Sequence, residues 1–167
     1  MADAQAGDRV PDRRRVWLVR STLTAIGAGT SLAVARLLAM PEAYWAAVTT
    51  IIVMQSTLGA AWTVSKQRLI GTLVGAAVGG VAATFVEPGV VAFGVEVFAL
   101  GLLCGALGLE RNAYRFAGVT LGTVTLVTRG AAPFMIATHR FVEVSLGILV
   151  GLVLPAVWPA PELADDA

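Results

Sequence analysis

The sequence predicts an all-α polytopic membrane protein of six transmembrane helices, arranged as two inverted three-helix repeats. Three observations carry that expectation. Of the 167 residues, 57% are hydrophobic and only 14% charged, whereas soluble domains run nearer one half apolar and about one quarter charged. A chain this short lacks the interior volume to hide so much apolar surface from water. The apolar residues also gather into six runs, at 16–40, 43–61, 69–86, 90–109, 113–128 and 141–158. Finally, KQRLIGTLVGAAVGG at 66–80 has an echo in HRFVEVSLGILVGLV at 139–153, each a basic head followed by stepped glycines.

Taken in order, residues 1–15 are polar and end in Arg13-Arg14-Arg15, which reads as a disordered cytoplasmic tail. A helix needs roughly 20 residues to cross the hydrocarbon core. The first, second and fourth runs meet that length, the third and sixth fall slightly short, and the fifth is the shortest signal. Turns separate them at Met40-Pro41-Glu42, Glu87-Pro88-Gly89 and Glu110-Arg111-Asn112. Six spans are the most economical count, because no backbone polar group is left unpaired in lipid. The first repeat then covers 16–86, the second 87–159, and 160–167 form a short cytoplasmic tail. The string RRRVWLV also matches the start of a twin-arginine export signal. Such a signal precedes a soluble passenger, whereas five further apolar runs follow here, so the arginines read as a topology anchor.

Orientation follows from where lysine and arginine fall. With the N-terminus inside, the cytoplasmic segments hold Arg9, Arg13, Arg14, Arg15, Lys66, Arg68, Arg111 and Arg115, against Arg129 and Arg140 in the outer loops. Both termini are therefore expected in the cytoplasm of a bacterial inner-membrane-type protein. Aligning Arg68 with Arg140 sets Gly75 on Gly147 and Gly79 on Gly151 without a gap, and pairs Tyr44 loosely with Tyr114. A unit of three spans repeated in tandem inserts the second time upside down, the plan of many transporters. Arg68 and Arg140 are then expected on opposite sides of the membrane. The glycines themselves read first as a smooth face for close helix packing.

Charges within spans say more, since each costs roughly 2.5–3.5 kcal/mol at the bilayer centre. Arg36, Glu96 and Glu143 qualify, all nearer the outer ends of their helices, with Arg36–Glu96 or Arg140–Glu143 pairing as the structural explanation. Glu96, Glu143 and His139 are the candidates for a proton relay. Gln55, with Ser56, Thr57 and Gly59 after it, has the composition of a broken or terminated helix. A single cysteine, Cys104, excludes a disulfide framework and a cysteine-built metal site. The lone His139 has no motif-supported serine partner, so the expectation is no enzyme, no cofactor and no metal. A net charge of +1 gives no reason for a nucleic-acid partner.

AYWAAVTTIIVMQSTLG at 43–59 followed by SKQRLIGTLVGAAVG at 65–79 resembles the membrane domain of the fusaric acid resistance and aromatic acid exporter proteins. The matching residues are Tyr44, Trp45, Ala46, Gln55, Arg68, Gly71, Thr72 and Gly75, and more loosely Tyr114, Thr120, Arg140, Gly147, Trp158 and Pro159. One departure is Ser56, where many members carry proline after the glutamine. The resemblance implies a six-span module that exports organic anions such as aromatic carboxylates, working as a homodimer or with another membrane or periplasmic subunit. On that reading Lys66, Arg68, Arg111 and Arg115 draw the anion to the cytoplasmic mouth. Arg140 and Arg36 supply positive field at the outer side, and Gln55, Thr72, Tyr44 and Trp45 line the path. The second reading is a non-transporting membrane scaffold that assembles with a separately encoded soluble partner, since larger members carry a cytoplasmic domain that is not in this sequence.

Overall fold

The computed structural model describes residues 13–55, 58–127 and 132–158, and every element in them is helical. The elements are α1 (Arg13–Leu37), α2 (Tyr44–Met54), α3 (Leu58–Phe85), α4 (Val90–Ala106), α5 (Arg111–Val127) and α6 (Pro133–Val157). The number of helices matches the number of apolar runs, but their lengths do not. Among the described residues only α1, α3 from Gly59, and α6 are long and apolar enough to cross a membrane. Helix α2 has 11 residues and α4 has 17. At 1.5 Å per residue α2 is about 16 Å long, half a hydrocarbon core.

The boundaries moved for physical reasons. Helix α2 ends at Met54 and Gln55 is its C-cap, so the break expected after that glutamine is real, although Ser56 and Thr57 lie outside the described residues. Helix α3 begins at Leu58, eleven residues before the apolar run at 69. Lys66 and Arg68 therefore lie inside α3 instead of marking its end. Helix α6 likewise begins at Pro133, whose missing N–H suits the first helical turn, so His139 and Arg140 lie within a helix and not in an outer loop. Arg13, Arg14 and Arg15 open α1, while the rest of the expected N-terminal tail, the 160–167 tail and Arg129 lie outside the described residues.

Contacts fix the directions. Gly71, Gly75 and Gly79 of α3 meet Ala113, Ala117 and then Leu121 and Val124 of α5, so these two helices run parallel and close together. A Cβ on Gly75 would stand 2.9 Å from Ala117 Cα. Gly147 and Gly151 of α6 meet Ala46 and Thr49, then Thr50 and Val53, of α2; a Cβ on Gly147 would stand 2.6 Å from Thr49 Cβ. Helices α2 and α6 are thus also parallel. Gly80 faces Phe134, and Ala76 clusters with Ala137, so α3 and α6 run antiparallel.

Two helical hairpins flank that antiparallel pair. The α1–α2 hairpin packs on α6, and the α4–α5 hairpin packs on α3. Their turns enter from opposite ends and stop at one level: the first beside Glu143 of α6, the second beside Gln67 of α3. Both turns begin with the same hydrogen-bond pattern. Met40 N–H reaches Ala35 C=O and Ala39 N–H reaches Arg36 C=O; Leu109 N–H reaches Cys104 C=O and Gly108 N–H reaches Gly105 C=O. This closure needs a left-handed residue. Gly108 supplies it at φ 64°, whereas Ala39 takes φ 51° against a penalty of about 1–2 kcal/mol.

Much of the surface outside these contacts is apolar. Phe85, Val90, Val91, Phe98, Leu102 and Trp158 are all exposed. Exposed apolar side chains on this scale suit lipid and not water.

Candidate functional site

The level at which the two turns stop is also where the buried charges are. Helix α3 contributes Arg68, α6 contributes Arg140 and Glu143, the first turn contributes Glu42, and α2 contributes Trp45 and Thr49. Arg68 and Arg140 are 4% and 2% exposed, and Glu143 is 1% exposed. Charges sequestered to this degree need partners of opposite sign or directed hydrogen bonds.

Arg140 has several. Its NH2 contacts the Glu42 carboxylate, its NH1 faces Glu143 Oε2 at 3.6 Å, and its guanidinium carbon lies 4.3 Å from the centroid of the Trp45 ring. Glu143 in turn accepts the Glu42 backbone N–H at 3.1 Å. Arg68 is placed differently. Its Nε donates to Thr49 Oγ1 at 3.2 Å and its guanidinium lies 4.8 Å from the Phe116 centroid, with no carboxylate partner among the described residues. Thr49 uses its own proton on Trp45 C=O at 2.8 Å, leaving the oxygen lone pairs to Arg68. Trp45 and Thr49 are one turn apart on α2, so the two arginines address one face of one helix. The expectation that they stand on opposite sides of the membrane is corrected: antiparallel packing of α3 on α6 brings their guanidinium groups together. Neither meets the tyrosines paired in the sequence; they stack on Trp45 and Phe116 instead.

A belt of polar atoms surrounds this cluster. Thr50 Oγ1 lies 2.9 Å from Ser31 Oγ and 3.0 Å from Gly147 O, knitting α1, α2 and α6. Gln67 Nε2 donates to Glu110 of the second turn. Buried atoms without a hydrogen-bond partner include Arg140 Nε and NH1, Glu143 Oε2, Trp45 Nε1, Gln67 Oε1 and Ser65 Oγ. Most buried polar groups are paired, so their concentration here marks a polar interior in an otherwise apolar molecule.

Other predicted site residues fall elsewhere. Thr72 is buried one turn beyond Arg68 on α3. Lys66 is exposed, with its Nζ 5.1 Å from the Trp62 centroid. Arg111 and Arg115 are exposed on the first turns of α5, near the level of the second turn. Tyr44 is exposed beside Trp45, with ring centroids 5.7 Å apart. Arg36 and Gln55 are exposed at helix ends outside the cluster. The Arg36–Glu96 pair does not form, because α1 and α4 share no contact among the described residues. Glu96 instead joins Ala77, Val78, Val81 and Ala82 in lining an apolar α3–α4 groove, with one buried carboxylate oxygen unpartnered. His139 is half-buried with Nδ1 unpartnered. The proton-relay candidates therefore do not converge: only Glu143 belongs to the arginine cluster. Reasoning from sequence passed over Glu42, Glu110 and Phe116. The two glutamates lie in turns, where a charge looks like ordinary solvated surface.

Helical elements throughout the described residues, apolar outward faces and buried cations in the long helices define a helical membrane protein. More particularly, residues 28–154 match the model of the fusaric acid resistance protein-like family, and the chain belongs to that family. It is similar to the inner membrane protein YeeA of Escherichia coli (strain K12), 27% identical over 150 residues, covering 87% of this chain and 42% of that protein. The chain thus spans less than half the length of this relative. No solved structure matches it.

Proposed function

We propose that the protein is a transporter or channel subunit that moves organic anions, carboxylates foremost, across the inner membrane. The observation that carries this reading is Arg68: a guanidinium 4% exposed, inside a helix long enough to cross a membrane, backed by a hydroxyl and an aromatic ring but by no carboxylate among the described residues. A planar fork of donors in a low-dielectric wall is suited to a carboxylate, and the Phe116 and Trp45 faces favour an aromatic one. The exposed Lys66, Arg111 and Arg115 extend the positive field outward from the cluster. The inverted repeat belongs to the same proposal. It is supported by the parallel glycine-packed pairs α3–α5 and α2–α6 and by the matched arginine–aromatic stacks. Membership of the family, and the membrane location of a relative, support the transport class.

The test is efflux of benzoate from proteoliposomes holding the purified protein, with Arg68→Gln and Arg140→Gln beside wild type. The expected result is saturable flux in wild type and a loss of about tenfold or more in each variant. Correct assembly with no flux under any gradient would favour a scaffold and end the transport reading. Equal flux in all three proteins would remove the arginines from the path.

A further inference from the structure

The Arg140 guanidinium meets one short turn, one residue of its own helix and one ring. The polar contacts between the turn and α6 belong to a single residue, the Glu42 carboxylate on Arg140 and the Glu42 N–H on Glu143, beside the packing of Met40 and Ala43 in one cluster with Leu146. We infer that Glu42 is a tethered competitor: its carboxylate sits on Arg140 where the carboxylate of a transported anion binds, so the α1–α2 turn is a gate that the anion itself opens. The inference rests on the anion-transport reading above and adds to it a residue and a gating step.

Exposure identifies the member of the cluster that can leave. Glu42 is 24% exposed while Arg140 and Glu143 are 2% and 1% exposed, so of the three only Glu42 reaches the surface of the bundle. Its departure does not strand the guanidinium, because Glu143, three residues along the same helix, remains opposite Arg140 NH1. Exchanging one carboxylate for another also keeps the net charge of the buried cluster constant, which avoids the desolvation penalty of an unmatched ion. A neutral solute or a cation makes no such exchange, so the gate selects for anions. The Nε and NH1 atoms of Arg140 lack hydrogen-bond partners, leaving donors that a bidentate carboxylate would engage and the singly placed Glu42 oxygen does not.

The test uses benzoate and a variant in which Trp17, Trp62 and Trp158 are phenylalanine, so that Trp45 fluorescence reports the site. Glu42→Gln removes the competing charge while keeping the shape. The benzoate concentration for half-maximal quenching is expected to fall by about tenfold, with Glu42→Asp staying near wild type. An unchanged midpoint in Glu42→Gln overturns the gate while leaving anion transport standing. No quenching and no benzoate flux in any version overturns the transport reading itself. A second measurement leaves Glu42 intact: Pro41→Cys in a Cys104→Ala background is labelled with maleimide, with and without saturating benzoate. Faster labelling in benzoate is expected, and a rate indifferent to benzoate overturns the gate.

Discussion

Arg68 and Arg140 illustrate how much a buried cation depends on what surrounds it. Each stacks on an aromatic ring, and the ring face offers an attraction that survives desolvation. Replacing Phe116 by leucine keeps an apolar side chain and removes the quadrupole. We expect a loss of about 0.5–2 kcal/mol in thermal unfolding in detergent, with no comparable effect in an Arg68→Gln background. Glu143 carries more, since its carboxylate serves both Arg140 and the Glu42 N–H. Glu143→Ala leaves a buried charge half compensated and a donor unpaired, which costs about 3–5 kcal/mol in systems of this kind. A double-mutant cycle with Arg140→Met checks it: the two losses combine to less than their sum when they act through one pair. Neither effect is legible from the residue types alone, because a glutamate three residues from an arginine is ordinary on any helix surface.

At the scale of elements, glycine sets the spacing of the bundle. Gly75 and Gly147 each allow a backbone to approach where a methyl group would collide with Ala117 or Thr49. Gly75→Ala and Gly147→Ala are expected to lower stability by about 1–3 kcal/mol through overpacking. Gly94, with no atom within 4 Å of its would-be Cβ, is the control; Gly94→Ala is expected to be neutral or slightly stabilising because alanine favours helix by about 1 kcal/mol. Unfolding midpoints measured in the same detergent decide between them. The glycine pattern was readable in the sequence as a packing face. Which helix each face met was not, because a stripe of small residues carries no address. The helix ends differ for a related reason: hydropathy marks where charges interrupt an apolar run, yet Arg68 and Arg140 are contacted in place by Thr49, Phe116, Glu42 and Trp45, so α3 and α6 run straight through them.

For the whole molecule, α1 runs antiparallel to α6, with Gly27 beside Leu154, so the chain enters and leaves the bundle at the same end. Arg13, Arg14 and Arg15 stand at that end, and on the proposal that this cationic end faces the cytoplasm both termini lie inside. Protease added to inside-out vesicles is therefore expected to remove epitope tags from both termini together, and protease added to right-side-out vesicles neither. Removal of one tag alone would contradict the antiparallel placement of α1 and α6. The broader charge count used to orient the chain loses several of its members. Lys66 and Arg68 lie inside α3, and Arg111 and Arg115 lie near the level of the second turn and not at an outer end.

The sequence by itself determined the class of this protein. Its apolar fraction, the number of helices, the break at Gln55 and the family motif from Tyr44 to Gly75 are properties of composition and local order, which need no partner to be expressed. Tertiary structure alone decided that two hairpins stop at a common level, that Arg68 and Arg140 converge, and that Glu42 sits on Arg140. The physical reason is range. Hydropathy and turn chemistry act over a few residues, whereas a buried charge is defined by groups about a hundred positions away, as Glu42 is from Arg140 and Glu143.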